Sequence, residues 1–186
     1  MITIILYGEK EEKNLTRIFA KNLKQNYQVH EVAESEIKTE GKGKELLLFD
    51  TANFSNVNGG PAILIVKPGA DLSGLSNVSG NVTALADSNC PDQLVKLAEK
   101  KIRTVACGLS SKDTVTFSSF HENRVSVSLQ RTVKRPDGKV VEPMEVTLEL
   151  GFPYNPLSVL FYTAAVMICG GFSQEKQGEK SINCLS

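Results

Sequence analysis

Five short apolar runs recur along the first 107 residues: ITIILY (2–7), ELLLFD (45–50), PAILIV (61–66), VTALA (82–86) and IRTVAC (102–107). Each is bounded by Gly, Pro or Asp and is rich in aliphatic residues without polar alternation, as expected of a strand covered on both faces. Strands of that kind need helices above and below the sheet they form.

The segments between them supply helices. In EEKNLTRIFAKNLKQN, Leu15, Ile18, Phe19 and Leu23 fall at spacings of three and four, on one helical face. A second helix is expected over Pro91–Lys100, with Pro early in its first turn and Leu94, Leu97 and Ala98 facing inward. Gln28–Val32 reads as a short strand, EIKTEGKGK as a polar surface connection, and KPGADLSGLSNVSGN as a loop dense in Gly, Ser and Asn. Alternating strands and helices predict an α/β fold with a mostly parallel, doubly wound, Rossmann-like or P-loop-like sheet.

After Thr114 the period changes. In VSVSLQRTV, Val125, Val127 and Leu129 alternate with Ser126, Ser128 and Gln130, and VVEPMEVTLEL alternates again after the turn residues of RPDGK. That pattern predicts an antiparallel hairpin with one wet face in the C-terminal part. PLSVLFYTAAVMICGGF is apolar over 17 residues but begins at Pro and contains Ser158, Tyr162 and Thr163. It reads as a buried helix from about Leu157 to Cys169, not as a membrane span. Residues 1–172 are therefore expected to form one domain, and 173–186 a polar, frayed tail.

Composition narrows the function classes. Lys+Arg and Asp+Glu are both 21, so no global charge draws the chain to nucleic acid or an anionic membrane. The four cysteines are dispersed, with no CxxC pair, which fits neither a zinc knuckle nor a disulfide framework. Together with an N-terminus that lacks a basic signal-peptide region, this predicts reduced thiols and a cytoplasmic setting.

The order of motifs over Thr83–Ser119 and beyond resembles the central domain of the Mur ligase family, ATP-dependent amide-forming enzymes of cell-wall precursor synthesis in bacteria. That family has a strand ending in Asn-x-Asp-Asp-Pro, a helix, and a strand ending in a Gly turn. A hairpin and a Gly-x-His-Asn segment opening an Ala-rich helix come next. ALADSNCPDQLVKLAEKKIRTVACGLSSKD is similar to the first part, with Asp87 and Pro91 bracketing the turn. LELGFPYNPLSVLFYTAAVMICGG is similar to the last, with Asn155 in the Asn position and Ala164–Ala165 in the helix. The resemblance can be threaded from Ile2 to Phe172 and covers that one domain.

The resemblance also implies where chemistry should sit. The family's Gly-Thr-x-Gly-Lys-Thr loop cradles ATP phosphates after the first strand. Here the loop reads YGEKEEKN: Gly8 is kept, Glu11 and Glu12 stand where Gly and Lys should be, and Lys10 and Lys13 are out of register. A carboxylate aimed at a triphosphate is repulsive. By the same resemblance Asp50 takes the position of a magnesium-binding Glu, with Ala52 and Asn53 in the positions of two serines. Asp71–Leu72 replaces an Asp-His pair, and residues 73–87 leave no room for the helix that carries the family's modified lysine.

The residues that could still gather around a nucleotide are Gly8, Glu9, Lys10, Lys13, Asp87 and Asn155, with Asp50 as the metal ligand. Three readings follow. The first is a non-catalytic Mur-ligase-like domain acting as an interaction or regulatory module, with no cofactor and with a protein partner or a second copy as its target. The second is a binder of a nucleotide (ATP or ADP with magnesium) or another small anion at the C-terminal edge of the sheet. The third is an ATP-dependent amide ligase-like enzyme or other chemistry on this scaffold. Neither His30 nor His121 lies in a nucleophile motif, and CGLSS is not a nucleophile elbow.

Overall fold

The computed structural model describes residues 1–9, 13–33, 36–78, 80–121, 123–150, 154–171 and 180–182. The chain runs β1 (Ile2–Tyr7), α1 (Lys13–Leu23), β2 (Tyr27–Ala33), β3 (Glu36–Glu40), β4 (Lys44–Thr51), β5 (Asn56–Val57), β6 (Ala62–Val66), β7 (Asn77–Val78) and β8 (Val82–Asp87). It continues through α2 (Pro91–Glu99), β9 (Arg103–Cys107), β10 (Val115–His121), β11 (Arg124–Leu129), β12 (Val133–Lys134), β13 (Val140–Val141), β14 (Met144–Leu150), α3 (Pro156–Cys169) and β15 (Lys180–Ile182).

Eleven strands form one sheet in the order β15-β14-β11-β10-β9-β8-β6-β1-β4-β2-β3. From β2 to β10 every neighbouring pair is parallel. β10, β11 and β14 pair antiparallel. The fold is thus mixed α/β with a large, mostly parallel sheet, as the apolar runs imply. β1 sits between β4 and β6, so successive crossovers leave it in opposite directions. In open sheets such a reversal opens a crevice outside the strands' carboxyl ends, which is where ligands usually bind.

Both faces of the sheet are covered, as the unbroken apolar strands require. On one face Leu15, Ile18, Phe19 and Leu23 of α1 and nearly all of α3 pack on Ile4, Leu6, Leu46, Leu48, Ile63 and Ile65. The rings of Phe19 and Tyr162 meet edge-on at 5.3 Å. On the other face Leu97 of α2 and the loop residues Ala70, Leu72 and Leu75 cover Ile5, Tyr7, Leu64, Val66, Ala84 and Ala86. α3 carries no acidic residue in its first turn and no basic residue in its last, and eleven of its residues are buried. A helix apolar all round belongs inside a domain. Among the described residues no helix is long and apolar enough to cross a membrane.

Several local expectations are corrected. The polar segment from Glu36 forms an edge strand antiparallel to β2, because its Ile37 and Thr39 suffice for a ladder while Lys38 and Glu40 suit an exposed edge. Helix α2 turns Gln93 and Leu97 inward and leaves Ala98 exposed; positions 93 and 97 share a face that 98 does not. The expected hairpin is present as β11 paired with β14. The residues nearest its RPDGK turn leave the main sheet, however, and form a separate ribbon, β12 with β13. Within the tail, β15 adds a parallel strand to β14.

Candidate functional site

The C-terminal ends of β1, β4 and β6 meet at the reversal point. β1 ends at Gly8, whose φ of +125° leaves the chain direction to a residue without a Cβ. A Cβ there would lie 2.8 Å from Ala70 Cβ and 3.0 Å from Lys67 Cβ. Its amide donates to Thr51 O at 3.0 Å, tying the end of β1 to the end of β4.

The centre of this crevice is filled by a residue that sequence reasoning missed. Lys67, the first residue after β6, is 2% exposed. Its Nζ donates to Asp50 Oδ1 at 2.6 Å, and to the carbonyl oxygens of Gly8 at 3.3 Å and Glu9 at 3.4 Å. Thr16 of α1 donates to Asp50 Oδ2 at 2.5 Å. Both carboxylate oxygens of Asp50 are therefore engaged, and the described residues after β1, Gly8 and Glu9, present their carbonyls to Lys67. Gln93 of α2 closes it from below, donating through Nε2 to Lys67 O and Ala70 O, both at 3.0 Å. A lysine directly after a VKPG-type strand end, with an Asp closing the strand two positions away in the sheet, was the available signal.

Asp87 and Asn155 come together elsewhere on the same edge. They line a cleft of about 180 Å³ with Asn89, Gly108, Leu109, Pro156, Leu157 and Leu160. Asp87 closes β8 and accepts from the Asn89 amide at 2.9 Å and its Nδ2 at 3.1 Å, which shapes the turn into α2. Asn155 caps α3, its Oδ1 accepting from Ser158 N at 3.1 Å. Glu9 enters the site through its backbone. Lys10, Glu11 and Glu12 lie outside the described residues, and Lys13 is described as the first residue of α1 only.

The remaining polar groups have local duties. Asp71 is held down to about 2 by the Ser73 hydroxyl and amide and by Lys96, and its backbone carbonyl accepts from the Tyr7 hydroxyl at 2.7 Å. Burial pushes the Cys107 thiol far up, and Asp113 and Asp87 add to the shift. Cys90 is raised by burial and by Asp87. His30 Nδ1 lies 3.1 Å from Thr39 Oγ1, a contact across the β2–β3 edge. Among the described residues no three His, Cys, Asp or Glu side chains gather as a metal site requires.

A large, mostly parallel sheet with a crevice at the β1 switch point and helices on both faces defines a mixed α/β domain, and its fold is Mur-ligase-like by comparison with solved structures. Among solved structures, the chain is similar to a murein peptide ligase from Psychrobacter arcticus 273-4. The TM-score is 0.54 at 7% identity, over 93% of this chain and 46% of that one. It is also similar to a UDP-N-acetylmuramoyl-L-alanyl-D-glutamate–2,6-diaminopimelate ligase, with a TM-score of 0.47 at 9% identity, over 93% of this chain and 44% of that one. The chain thus spans less than half the length of either ligase. No family model matches it, and no curated protein does.

Proposed function

We propose that this chain is a non-catalytic Mur-ligase-like domain that serves as an interaction or regulatory module, its target a protein partner or a second copy. The observation that carries the reading is the buried Lys67–Asp50 pair at the switch point. An ammonium 2.6 Å from Asp50 holds the place a divalent cation would need, and the carboxylate has no free oxygen to offer. The charge of the same ammonium is balanced by Asp50, and its other hydrogen bonds go to the Gly8 and Glu9 carbonyls, so it brings no free positive charge to a phosphate. ATP-dependent ligation needs that metal and that charge together. Among the described residues, Asp50 and Lys67 as paired do not fit magnesium with ATP. Free thiols at Cys90, Cys107 and Cys169 accord with a reducing, cytoplasmic setting.

A second reading, a small-anion binder at this edge, draws on the cleft that Asp87 and Asn155 share. Its volume of about 180 Å³ is below that of ordinary small-molecule sites, roughly 300–1,000 Å³. It suits a fragment of a nucleotide better than a whole one.

Thermal unfolding with millimolar ATP, ADP and magnesium tests the proposal. Saturating ligand at about 100 times its dissociation constant adds roughly 2.7 kcal/mol, so binding is readable as a rise in Tm. The expected result is no magnesium-dependent shift. A magnesium-dependent rise that disappears in Asp50→Asn/Lys67→Met would restore the nucleotide site and remove this reading.

A further inference from the structure

The larger cavity lies on the opposite edge of the sheet. It has a volume of about 400 Å³, within the range of small-molecule sites. Its floor is made where the parallel strands begin: Ile2 of β1, Tyr27 of β2, Lys44 of β4, and Ala62 and Ile63 of β6. Its roof is the last turn of α3, Ile168 to Gly170, and its side is the β12–β13 turn, Arg135 to Lys139.

The polar groups facing this space are nearly all donors. Arg135 gives Nη2 to Asp137 Oδ2 at 2.8 Å and to Cys169 O at 3.3 Å, which suits a cation at a helix C-terminus. Its Nε is buried with no partner. Tyr27 is 9% exposed and lines the same space. Lys44 and Lys139 line the mouth, and neither ammonium forms an ion pair with a described residue. Asp137, the one carboxylate of the lining, is already held by Arg135. Buried polar groups are almost always satisfied, and Arg135 Nε is not; an acceptor held in the cavity would also meet the exposed ammonium groups of Lys44 and Lys139 at its mouth.

We propose that this cavity is a binding site for a small organic anion. Its carboxylate or phosphate head is held by Lys44, Lys139 and Arg135 Nε, and its apolar body lies on Ile2, Ile63 and Ile168. The hydroxyl of Tyr27 donates to the same ligand. The site is independent of the Lys67–Asp50 crevice at the other edge, so it stands whether or not the domain is catalytic.

Isothermal titration of the full chain with benzoate, phenyl phosphate, inorganic phosphate and benzyl alcohol tests it. The expected result is saturable binding of benzoate or phenyl phosphate, the tighter of the two identifying the head group. Benzyl alcohol and inorganic phosphate should each bind at least about tenfold more weakly, equivalent to roughly 1.4 kcal/mol. Lys44→Ala/Lys139→Ala, at exposed positions, should weaken the better ligand by about tenfold or more, with Tm little changed. Tyr27→Phe, which removes one oxygen and keeps the ring, should weaken it several-fold. Equal binding of the neutral alcohol, equal binding by the double variant, or no binding of either organic anion would each overturn the assignment. Inorganic phosphate binding as tightly as phenyl phosphate would overturn the apolar half of it.

Discussion

Asp50 at the end of β4 and Lys67 just past the end of β6 reach across β1 to form a buried ion pair of 2.6 Å. The pair occupies the switch-point crevice of the sheet, and its surroundings are fully used: Thr16 on one carboxylate oxygen, two loop carbonyls on the ammonium. Charges so placed stabilise little as a pair but leave a large penalty when one is removed.

Lys67→Met should therefore destabilise the domain by about 3–5 kcal/mol, because Asp50 stays buried without its counter-charge. Asp50→Asn/Lys67→Met should recover most of that loss. Urea unfolding of the single and double variants measures the coupling. If the double variant is no more stable than Lys67→Met, the pair is not what holds the crevice together.

Gly8→Ala should destabilise by roughly 1–3 kcal/mol, since a positive φ strains any residue with a Cβ. The new methyl would also lie 2.8 Å from Ala70 Cβ. Ala70→Gly in the same chain should return only the contact part, leaving the backbone part. Melting curves of the two variants separate the terms, and full recovery would show that φ carries no strain here.

The C-terminus of α2 has a residue with a side chain in the left-handed region, Lys101 at φ +57°. The amide of Ile102 returns to Leu97 O at 3.0 Å, as a helix ending in this way requires. Lys101→Gly should raise stability by about 1 kcal/mol, read as a higher urea midpoint at unchanged m. A lower midpoint would mean that the Lys101 side chain contributes more than its strain removes.

Stability should fall at alkaline pH. Burial raises the thiols of Cys107 and Cys169, the latter to about 12, and raises the hydroxyls of Tyr7 and Tyr27. Each folded-state value lies above its unfolded one, so the folded chain keeps protons that the unfolded chain releases. The contribution is fully present below the unfolded thiol value of about 8.5. Above it each buried thiol removes about 1.4 kcal/mol per pH unit until its folded value is reached. Cys169→Ala should flatten the slope between pH 9 and 12, measured by urea midpoints across that range. An unchanged slope would mean that Cys169 ionises as freely folded as unfolded.

Much of the architecture follows from local chemistry. Unbroken apolar strands such as Ile2–Tyr7 and Ala62–Val66 can exist only with both faces covered, and the alternation in Arg124–Leu129 marks an antiparallel ladder. Its expected wet face is not wet throughout: Ser126 is buried, its hydroxyl 3.1 Å from that of Thr147. Leu15, Ile18, Phe19 and Leu23 mark the inner face of α1 by spacing alone, and Asn155 with Pro156 marks the start of α3. β3 was hidden because an edge strand needs little apolar pattern, and β15 because its three residues carry none.

What the sequence by itself determined is this set of elements, their inward faces, and the candidates Gly8, Asp50, Asp87 and Asn155 as strand-end and helix-start residues. Only the tertiary structure decided which of them meet. Asp50 and Lys67 are 17 residues apart and face each other because β1 inserts between their strands; Tyr27, Lys44 and Arg135 share a cavity because β2, β4 and the β12–β13 turn converge on the end of α3. Local periodicity records whether a side chain points toward the core. It holds nothing about strand order, and strand order sets which charges must share a crevice.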